Sequence, residues 1–401
     1  MTPDTNSPIP VPTPEAEEIA SHHDEVRGAL EPLEPESLKA GGPVSRRIYT
    51  TGNARLDKLV EDTVLALQQE TPADVLPVTP ADLELVRETL TSAVRLVLLH
   101  ATRAELKMVN AALKEFAYSF RVFAPYRHLP KVSIFGSARV QSGDRAYVSA
   151  REFAQKIADL GWMVITGAGP GIMAAGHEGA GAAHSFGANI RLPGLNPANV
   201  YIANDGKLVN FKYFFTRKVT FLKESSAFVL MPGGWGTLDE AFELLTLIQT
   251  GKSDIHPVVL LEPEGSTYWQ RWLEFQRDEL LGRRFINEAD LSIFCLARTP
   301  EEAIKEILTF YRNYYSARFV GERLVLRLKQ APDAGQLLQL QEDFADLLDH
   351  GSFEVIGPTM PERRDEDALE AERLAFYPKH QYGRIRQLID ALNRLPMPEE
   401  P

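Results

Sequence analysis

From Lys131 onward, short apolar runs alternate with segments whose apolar residues recur every three or four positions. Apolar runs of this length indicate buried strands, and the three-to-four spacing indicates amphipathic helices. Strands are predicted at residues 132–135, 162–165, 188–192, 227–230, 257–261 and 292–294. Helices are predicted at residues 147–160, 172–183, 211–223, 241–250, 268–281 and 301–311. Strands that alternate with helices predict an α/β fold with a doubly wound parallel sheet, whose ligands bind beyond the carboxyl ends of the strands.

The regions on either side of residues 131–312 have other patterns. Residues 1–50 are rich in Pro and Glu and poor in aromatic side chains, which predicts a disordered acidic tail. From Thr79, with Pro80 as the first helical residue, apolar positions recur as far as Phe116. This spacing predicts one long amphipathic helix within a helical extension over residues 51–130.

Residues 313–401 predict a small α+β module. An alternating run at residues 323–328 indicates a strand, and further strands are predicted at residues 353–356 and 374–376, with helices at residues 336–348 and 384–395. The order β-α-β-β-α fits either a regulatory ligand module or a dimer contact. The sequence leaves both interpretations open.

The densest glycine cluster lies between the predicted strand at residues 227–230 and the helix that follows it. Gly233, Gly234 and Gly236 leave backbone N–H groups exposed at a helix start, without Cβ atoms to keep a ligand away, which is typical of a phosphate-binding turn. A local alternative is a capping box, in which Thr237 caps the helix and Glu240 reaches back to the Thr237 amide. Because a capping box does not require the glycines, we favour a ligand loop.

Two other predicted strands also end in small residues, GSAR at residues 136–139 and TGAGPG at residues 166–171. Three such ends in one doubly wound sheet converge at one edge, which predicts a nucleotide pocket that includes Ser137, Gly169 and Gly171.

A nicotinamide dehydrogenase is disfavoured by two positions. Ile172 stands where the dinucleotide fingerprint requires its third glycine, and Arg191 stands where that fingerprint places an acidic residue.

Two cations lie on an apolar helix face in the segment before the predicted strand at residues 227–230. Arg217 and Lys218 share faces with Phe214 and Phe221 at spacings of three and four. One interpretation is that their stems pack while their heads extend to solvent. The functional interpretation is that they supply positive charge to an anionic ligand that faces Glu240.

Other chemical candidates are weaker. His177 and His184 share one helix, but no metal-ligand spacing accompanies them, so we interpret them as surface or core histidines. Trp235 either stacks on a base or packs locally.

The composition of the chain restricts the classes of partner that it is expected to bind. Of its 401 residues, 44% are hydrophobic. The net charge is −12, and residues 1–40 contain nine acidic and two basic side chains. No basic surface for polymeric nucleic acid or an anionic membrane is therefore predicted.

Cys295 is the only cysteine, which excludes an intrachain disulfide, and its apolar neighbours predict a buried strand thiol. We find no signal peptide or bilayer-spanning run and predict a cytoplasmic protein.

Four stretches of the chain carry a family pattern: GSAR at 136–139, TGAGPGIM at 166–173, RK at 217–218 and PGGWGTLDE at 232–240. Together they resemble the LOG ("lonely guy") family, whose members are often labelled lysine decarboxylases. The resemblance covers residues 131–311. It implies a Rossmann-like fold in a homodimer or a higher homo-oligomer. It also implies hydrolysis of nucleoside 5′-monophosphates to free base and ribose 5-phosphate, with no metal or organic cofactor.

The resemblance also assigns residue roles. The family's catalytic arginine and glutamate fall on Arg217 and Glu240, and Lys218 joins the predicted substrate-binding set. Its phosphate-binding turn falls on Gly233, Gly234, Gly236 and Thr237.

The sequence departs from the family pattern at one position. Many cytokinin-activating members carry a histidine two residues before the arginine, where this chain has Phe215. AMP-like nucleotides and cytokinin riboside 5′-monophosphates are therefore both expected substrates. The alternative function is a non-catalytic nucleotide sensor with the same pocket, which would not need Glu240.

Overall fold

A computed structural model describes residues 49–70, 79–192, 198–365 and 367–396. The chain divides into two compact units, residues 1–103 and residues 104–401, and each is described by itself. The predicted acidic tail lies almost entirely outside the described residues.

The first unit contains helices α1 (Ala54–Glu70) and α2 (Pro80–Leu98). Pro80 is the first residue of α2, as predicted, and Thr79 forms a capping box with Asp82. The prediction of one helix as far as Phe116 is wrong, because α2 ends at Leu98 and His100 adopts a positive φ of 57°. A left-handed residue cannot continue a right-handed helix, and helix α3 begins separately at Arg103 (Arg103–Phe123).

The second unit is built on a seven-stranded parallel sheet, which confirms the predicted α/β doubly wound fold. The strands are β1 (Lys131–Phe135), β2 (Met163–Thr166), β3 (Ser185–Ile190), β4 (Leu208–Phe211), β5 (Ala227–Leu230), β6 (Val258–Leu261) and β7 (Phe294–Ala297). Their order is β4-β3-β2-β1-β5-β6-β7. The direction of winding reverses between β1 and β5, which is where such folds bind ligands.

Helices cover both faces of this sheet. They are α4 (Arg145–Asp159), α5 (Ile172–Ala180), α6 (Phe214–Glu224), α7 (Trp235–Gln249), α8 (Tyr268–Phe275) and α9 (Pro300–Phe310). Alternate residues of one strand enter different cores: Val132 and Ile134 belong to one apolar cluster and Phe135 to the other. Strands buried on both faces read as continuous apolar runs, so the sequence located most of them.

Several boundaries differ from the predictions, among them that of β7, which begins at Phe294, where the predicted strand at residues 292–294 ends. Strand β4 occupies Leu208–Phe211, where a helix was expected to begin, and α6 begins only at Phe214. As an edge strand of four residues, β4 has too short a periodic pattern for a sequence assignment. Strand β3 ends at Ile190 rather than Leu192, and the chain after α8 continues as a wider π-helical segment over Gln276–Leu281.

The chain ends in a second sheet, which is antiparallel and has the order β10-β11-β9-β8. Its elements are β8 (Tyr314–Val320), β9 (Arg323–Leu328), α10 (Ala334–Asp343), β10 (Leu348–Val355), α11 (Met360–Arg364), β11 (Glu372–Pro378) and α12 (Tyr382–Arg394). The sequence missed β8 and α11. The side chains of Leu326 and Leu388 belong to the same apolar core as Leu244 of α7, so the second sheet and the parallel sheet share one core.

Asn393 of α12 ties this last segment to the end of α9. Its amide oxygen accepts hydrogen bonds from the backbone N–H groups of Asn313 (2.9 Å) and Tyr314 (2.8 Å), and its amide nitrogen donates to the Phe310 carbonyl at 2.6 Å. The Asn393 side chain is buried, so no solvent replaces these partners if it is removed.

We expect Asn393→Leu to lower the free energy of unfolding by about 3 kcal/mol, because buried backbone groups lose their partners. Urea denaturation measures this difference. The matched control is Arg394→Leu at the neighbouring exposed position, which should change stability by less than about 0.5 kcal/mol. Equal effects of the two variants would show that the Asn393 contacts contribute little.

Candidate active site

The carboxyl ends of β1, β2 and β5 border one cavity of about 690 Å³. Its walls come from the three glycine-containing loops and from helices α6 and α7. The lining residues are Phe135, Gly136, Ser137, Ala138, Arg139, Gly167, Met173, Arg217, Phe221, Gly234, Trp235, Gly236, Thr237 and Glu240.

Backbone hydrogen bonds of Ser137 connect the three loops. The Ser137 N–H donates to the Pro232 carbonyl at 3.2 Å, and the Ser137 carbonyl accepts from the Ile172 N–H at 3.0 Å. Gly171, just before Ile172, has φ of +67°, and a Cβ atom there would overlap the Ser137 carbonyl oxygen. Only glycine therefore permits this crossing. The glycine motif at residues 166–171 thus has a structural role beside any ligand role.

The third loop leads into α7, whose N-cap is Gly234. The alternative interpretation as a capping box is wrong, because Thr237 lies inside the helix and its N–H donates to the Gly234 carbonyl at 3.1 Å. Cβ atoms at Gly234 and Gly236 would meet no atom within 4 Å, so no protein contact requires glycine at these positions. Glycine here leaves open space in front of a helix N-terminus, where N–H groups favour an anion.

Tyr268 holds the third loop from the opposite side. Its hydroxyl donates to the Gly233 carbonyl at 2.7 Å. Tyr268 is the first residue of α8, and Glu262 caps that helix by accepting from the amides of Trp269 (2.7 Å) and Gln270 (3.0 Å). The sequence analysis did not identify Tyr268 or Glu262, because their partners lie on a different loop and helix.

Arg217 and Glu240 face each other across the cavity wall. Arg217 Nη2 lies 3.4 Å from Glu240 Oε1, and the two side chains are 13% and 9% exposed. The Arg217 guanidinium lies 5.1 Å from the ring centroid of Phe214 and 5.8 Å from that of Phe221. Its Nε is buried and has no hydrogen-bond partner among the described residues. Burial lowers the pKa of Arg217, although the charge of Glu240 opposes this shift.

Burial also raises the pKa of Glu240 above the ordinary glutamate value. The positive charges of Lys218 and Arg217 act in the opposite direction, while the negative charges of Glu243 and Asp239 add to the rise. Both cations therefore favour the ionised form of Glu240 in a site that excludes much of the solvent.

Lys218 contacts three carboxylates. Its Nζ lies 2.9 Å from Asp239, 2.5 Å from Glu243 and 3.7 Å from Glu240. Burial lowers the pKa of Lys218, but hydrogen bonds to Glu243 and Asp239 outweigh it, and the pKa is raised. The interpretation that the heads of Arg217 and Lys218 extend to solvent is wrong, because both side chains are largely buried.

The structure places the predicted residues in two groups. Ser137, Arg217, Gly234, Gly236, Thr237 and Glu240 line the cavity. Gly169, Gly171, Gly233 and Lys218 lie on the same loops and helix, but are not among the described lining residues.

The sequence analysis did not assign Arg139, Phe135, Met173 or Phe221 to the site. Arg139 ends the GSAR stretch, so its position at a strand end was the available signal. Trp235 is 91% exposed, which is incompatible with local packing within the described residues.

His177 is a core histidine, in agreement with the sequence interpretation. It is buried, and its Nε2 lies 3.1 Å from Thr166 Oγ1 and 3.0 Å from the Phe186 carbonyl. Among the described residues, no group of three His, Cys, Asp or Glu side chains is arranged to hold a metal. No helix within the described ranges is both long enough and apolar enough to cross a membrane.

The sheet and the cavity at its switch point define a Rossmann-like α/β protein with a glycine-rich pocket. Within it, residues 171–307 match the family described as "Possible lysine decarboxylase". Several curated relatives carry a LOG name. A probable cytokinin riboside 5′-monophosphate phosphoribohydrolase of Oryza sativa subsp. japonica is 36% identical over 91 residues, and one of Arabidopsis thaliana is 37% identical over 91 residues. The resemblance to the LOG family is confirmed over this segment.

The matches are partial. They cover 23% of this chain, and the chain spans 35% of the Oryza relative and 40% of the Arabidopsis relative. Among solved structures, a molybdenum cofactor binding protein from Rippkaea orientalis is 24% identical and has a TM-score of 0.31, with 44% of this chain and 94% of that chain covered. A structural similarity of this extent does not bear on function.

We expect Gly171→Ala to destabilise the protein by about 2 kcal/mol more than Gly181→Ala. Both glycines have φ near +70°, but only a Cβ at residue 171 meets backbone atoms, whereas none lies within 4 Å at residue 181. The control variant Gly181→Ala therefore has the cost of placing alanine at a positive φ, but not the cost of a Cβ atom that overlaps neighbouring backbone atoms. Urea denaturation of both variants measures the difference, and equal destabilisation would contradict a tight crossing of the two loops.

Proposed function

We propose that this protein hydrolyses the N-glycosidic bond of nucleoside 5′-monophosphates to free base and ribose 5-phosphate. The observation that carries the proposal is that the Arg217–Glu240 pair and the N-terminus of α7 line the same cavity. Gly236 and Glu240 are separated by roughly 6 Å along the axis of α7, about the reach from a 5′-phosphate to the far side of a ribose. The confirmed LOG resemblance supports the same assignment.

The proposed reaction breaks the bond between C1′ of the ribose and a nitrogen of the base. Water adds its oxygen to C1′, and the base nitrogen gains a proton. Positive charge develops on the ribose in the transition state, as in other glycoside hydrolyses. In this proposal the Glu240 carboxylate stabilises that charge and orients the water.

Arg217 is proposed to position the substrate rather than to donate a proton. A guanidinium stays protonated, so it is a poor acid, but it presents several N–H donors in fixed directions. The α7 amides near Gly234 and Gly236, together with Thr237, are proposed to bind the phosphate, and Ser137 and Arg139 are proposed to complete the pocket.

The substrate range and assembly are also part of the proposal. The curated relatives are named for cytokinin riboside 5′-monophosphates, but Phe215 replaces the histidine of that pattern, so AMP-like nucleotides are proposed as well. None of the proposed steps uses a metal or an organic cofactor. Helix α6 exposes apolar surface at Phe214, Phe215 and Val219, which supports the proposal of a homodimer or a higher homo-oligomer. A cytoplasmic location remains a prediction.

Lysine decarboxylation, which the family description suggests, has less support. That chemistry uses pyridoxal phosphate bound to a lysine, which must lose its proton to act as a nucleophile. Lys218, the lysine next to Glu240, has a raised pKa and three carboxylate neighbours. Its amine is therefore held in the protonated form.

We expect the protein to release base from AMP or another nucleoside 5′-monophosphate, but not from adenosine, which lacks the phosphate. Glu240→Gln should lower kcat by about a hundredfold or more, because the amide cannot balance the ribosyl charge. Nucleotide affinity should change by less than about tenfold. Chromatography of the products and calorimetric titration measure the two quantities.

The matched control is Glu274→Gln, a charge-removing change at an exposed position of α8, which should leave kcat unchanged. Base release from none of a panel of nucleotides would contradict the hydrolase. If nucleotides still bound, that result would favour the non-catalytic sensor. Full turnover by Glu240→Gln would remove Glu240 from the mechanism.

A second prediction concerns pH. If ionised Glu240 is required, kcat/KM falls as pH drops through the Glu240 pKa, which burial raises. Lys218→Met removes a charge that lowers this pKa, so the acid limb of the profile should move to higher pH. Rates measured between pH 4 and pH 9 on both proteins test this shift. A limb that stays in place, or moves to lower pH, would contradict the assignment of this limb to Glu240.

A further inference from the structure

Helix α6, which carries Arg217, begins without a side-chain cap from its own N-cap residue, Tyr213. Glu115 of helix α3 occupies that place instead. Its Oε1 accepts from the Lys212 N–H at 2.9 Å, and its Oε2 accepts from the Thr216 hydroxyl at 2.5 Å. A carboxylate at this end of a helix also interacts favourably with the helix dipole.

A second polar contact joins the same two helices one turn further along both. Ser119 Oγ lies 3.3 Å from Thr220 Oγ1, and both side chains are buried. From the first contact to the second, the residue on α3 changes from 115 to 119 and the residue on α6 from 216 to 220. Helices α3 and α6 therefore run in the same direction. Sliding one helix along the other would break both contacts and would separate the buried Ser119 hydroxyl from Thr220, so the two contacts together fix the register.

The position of α6 determines where the Arg217 guanidinium lies. Thr216 precedes Arg217 in the chain and is fully buried. The guanidinium packs on the rings of Phe214 and Phe221, which belong to the same helix. Glu240, in contrast, belongs to α7. The 3.4 Å contact between Arg217 and Glu240 therefore depends on how α6 is held relative to α7.

We propose that Glu115 is a positioning residue, which holds the first turn of α6 so that Arg217 stays opposite Glu240. Helix α3 precedes residues 171–307, the segment that matches the family, so the proposal assigns part of the site's geometry to the N-terminal extension. The inference rests on the proposed function, because it concerns the same pair of residues.

The test compares Glu115→Ala, Glu115→Gln and the matched control Glu274→Ala. Glu115→Ala should lower kcat by about tenfold, because small displacements of catalytic groups are costly. KM should change by less than about threefold, since the phosphate contacts belong to α7. Glu115→Gln keeps one acceptor and should recover part of kcat, while Glu274→Ala should match the wild type.

The pH profile separates positioning from a loss of folded protein. Glu240 is faced by Arg217 and Lys218 from α6 and by Asp239 and Glu243 from its own helix. When Arg217 moves away, the acid limb of kcat/KM should shift to higher pH, which partial unfolding would not produce. A fall in kcat with an unmoved limb, proportional to the loss of folded protein, would overturn the proposal.

Thr216→Val tests the contact itself. Combined with Glu115→Ala, it should add little to the effect of Glu115→Ala alone, because that change already removes the hydrogen bond from the Thr216 hydroxyl. Fully additive effects would count against the proposal.

Hydrogen exchange makes the test independent of turnover. If the wild type cleaves no nucleotide, the proposed function fails, but the positioning proposal still predicts faster exchange at residues 214–218 in Glu115→Ala than in Glu274→Ala. Equal exchange in the two variants would overturn it.

Discussion

The arrangement of the site depends on two backbone hydrogen bonds of Ser137. One joins the end of β1 to the loop after β5, and the other joins it to the loop after β2. Parallel neighbours bring these three strand ends to the same edge of the sheet, and Gly171 lets two of the loops cross without a Cβ atom between them. That crossing brings the three loops that line the cavity together at one edge of the sheet.

The charges beside the cavity form one coupled set. Arg217 and Lys218 face Glu240, and Lys218 also binds Asp239 and Glu243. Removing such groups from water costs free energy that their mutual attraction only partly returns, so buried ion pairs are weak evidence of stabilisation. The long single contact between Arg217 and Glu240 is also not the bidentate geometry of a structural pair. This arrangement supports the ligand-binding role that we propose for these residues.

Elements outside the glycine loops support the site indirectly, through contacts with the helices and loops that carry its residues. Glu115 of α3 holds the start of α6, and Tyr268, on a helix capped by Glu262, holds the carbonyl of Gly233. The C-terminal antiparallel sheet shares the core that includes α7, and Asn393 fixes the junction. The three loops and helices α6 and α7 thus line the pocket, and side chains distant in sequence hold these elements in place.

Periodicity and local motifs determined a large part of this protein. The apolar runs and helical spacings predicted the doubly wound fold, and the motifs at residues 136–139, 166–173, 217–218 and 232–240 predicted a pocket that includes Arg217 and Glu240, because each motif is local to one strand end or one helix. The tertiary structure alone decided the break at His100, the edge strands β4 and β8, and the contacts of Glu115 and Tyr268. Spacing along the chain reports which face of an element is buried, but a hydrogen bond between residues a hundred positions apart exists only once the sheet has brought their helices together.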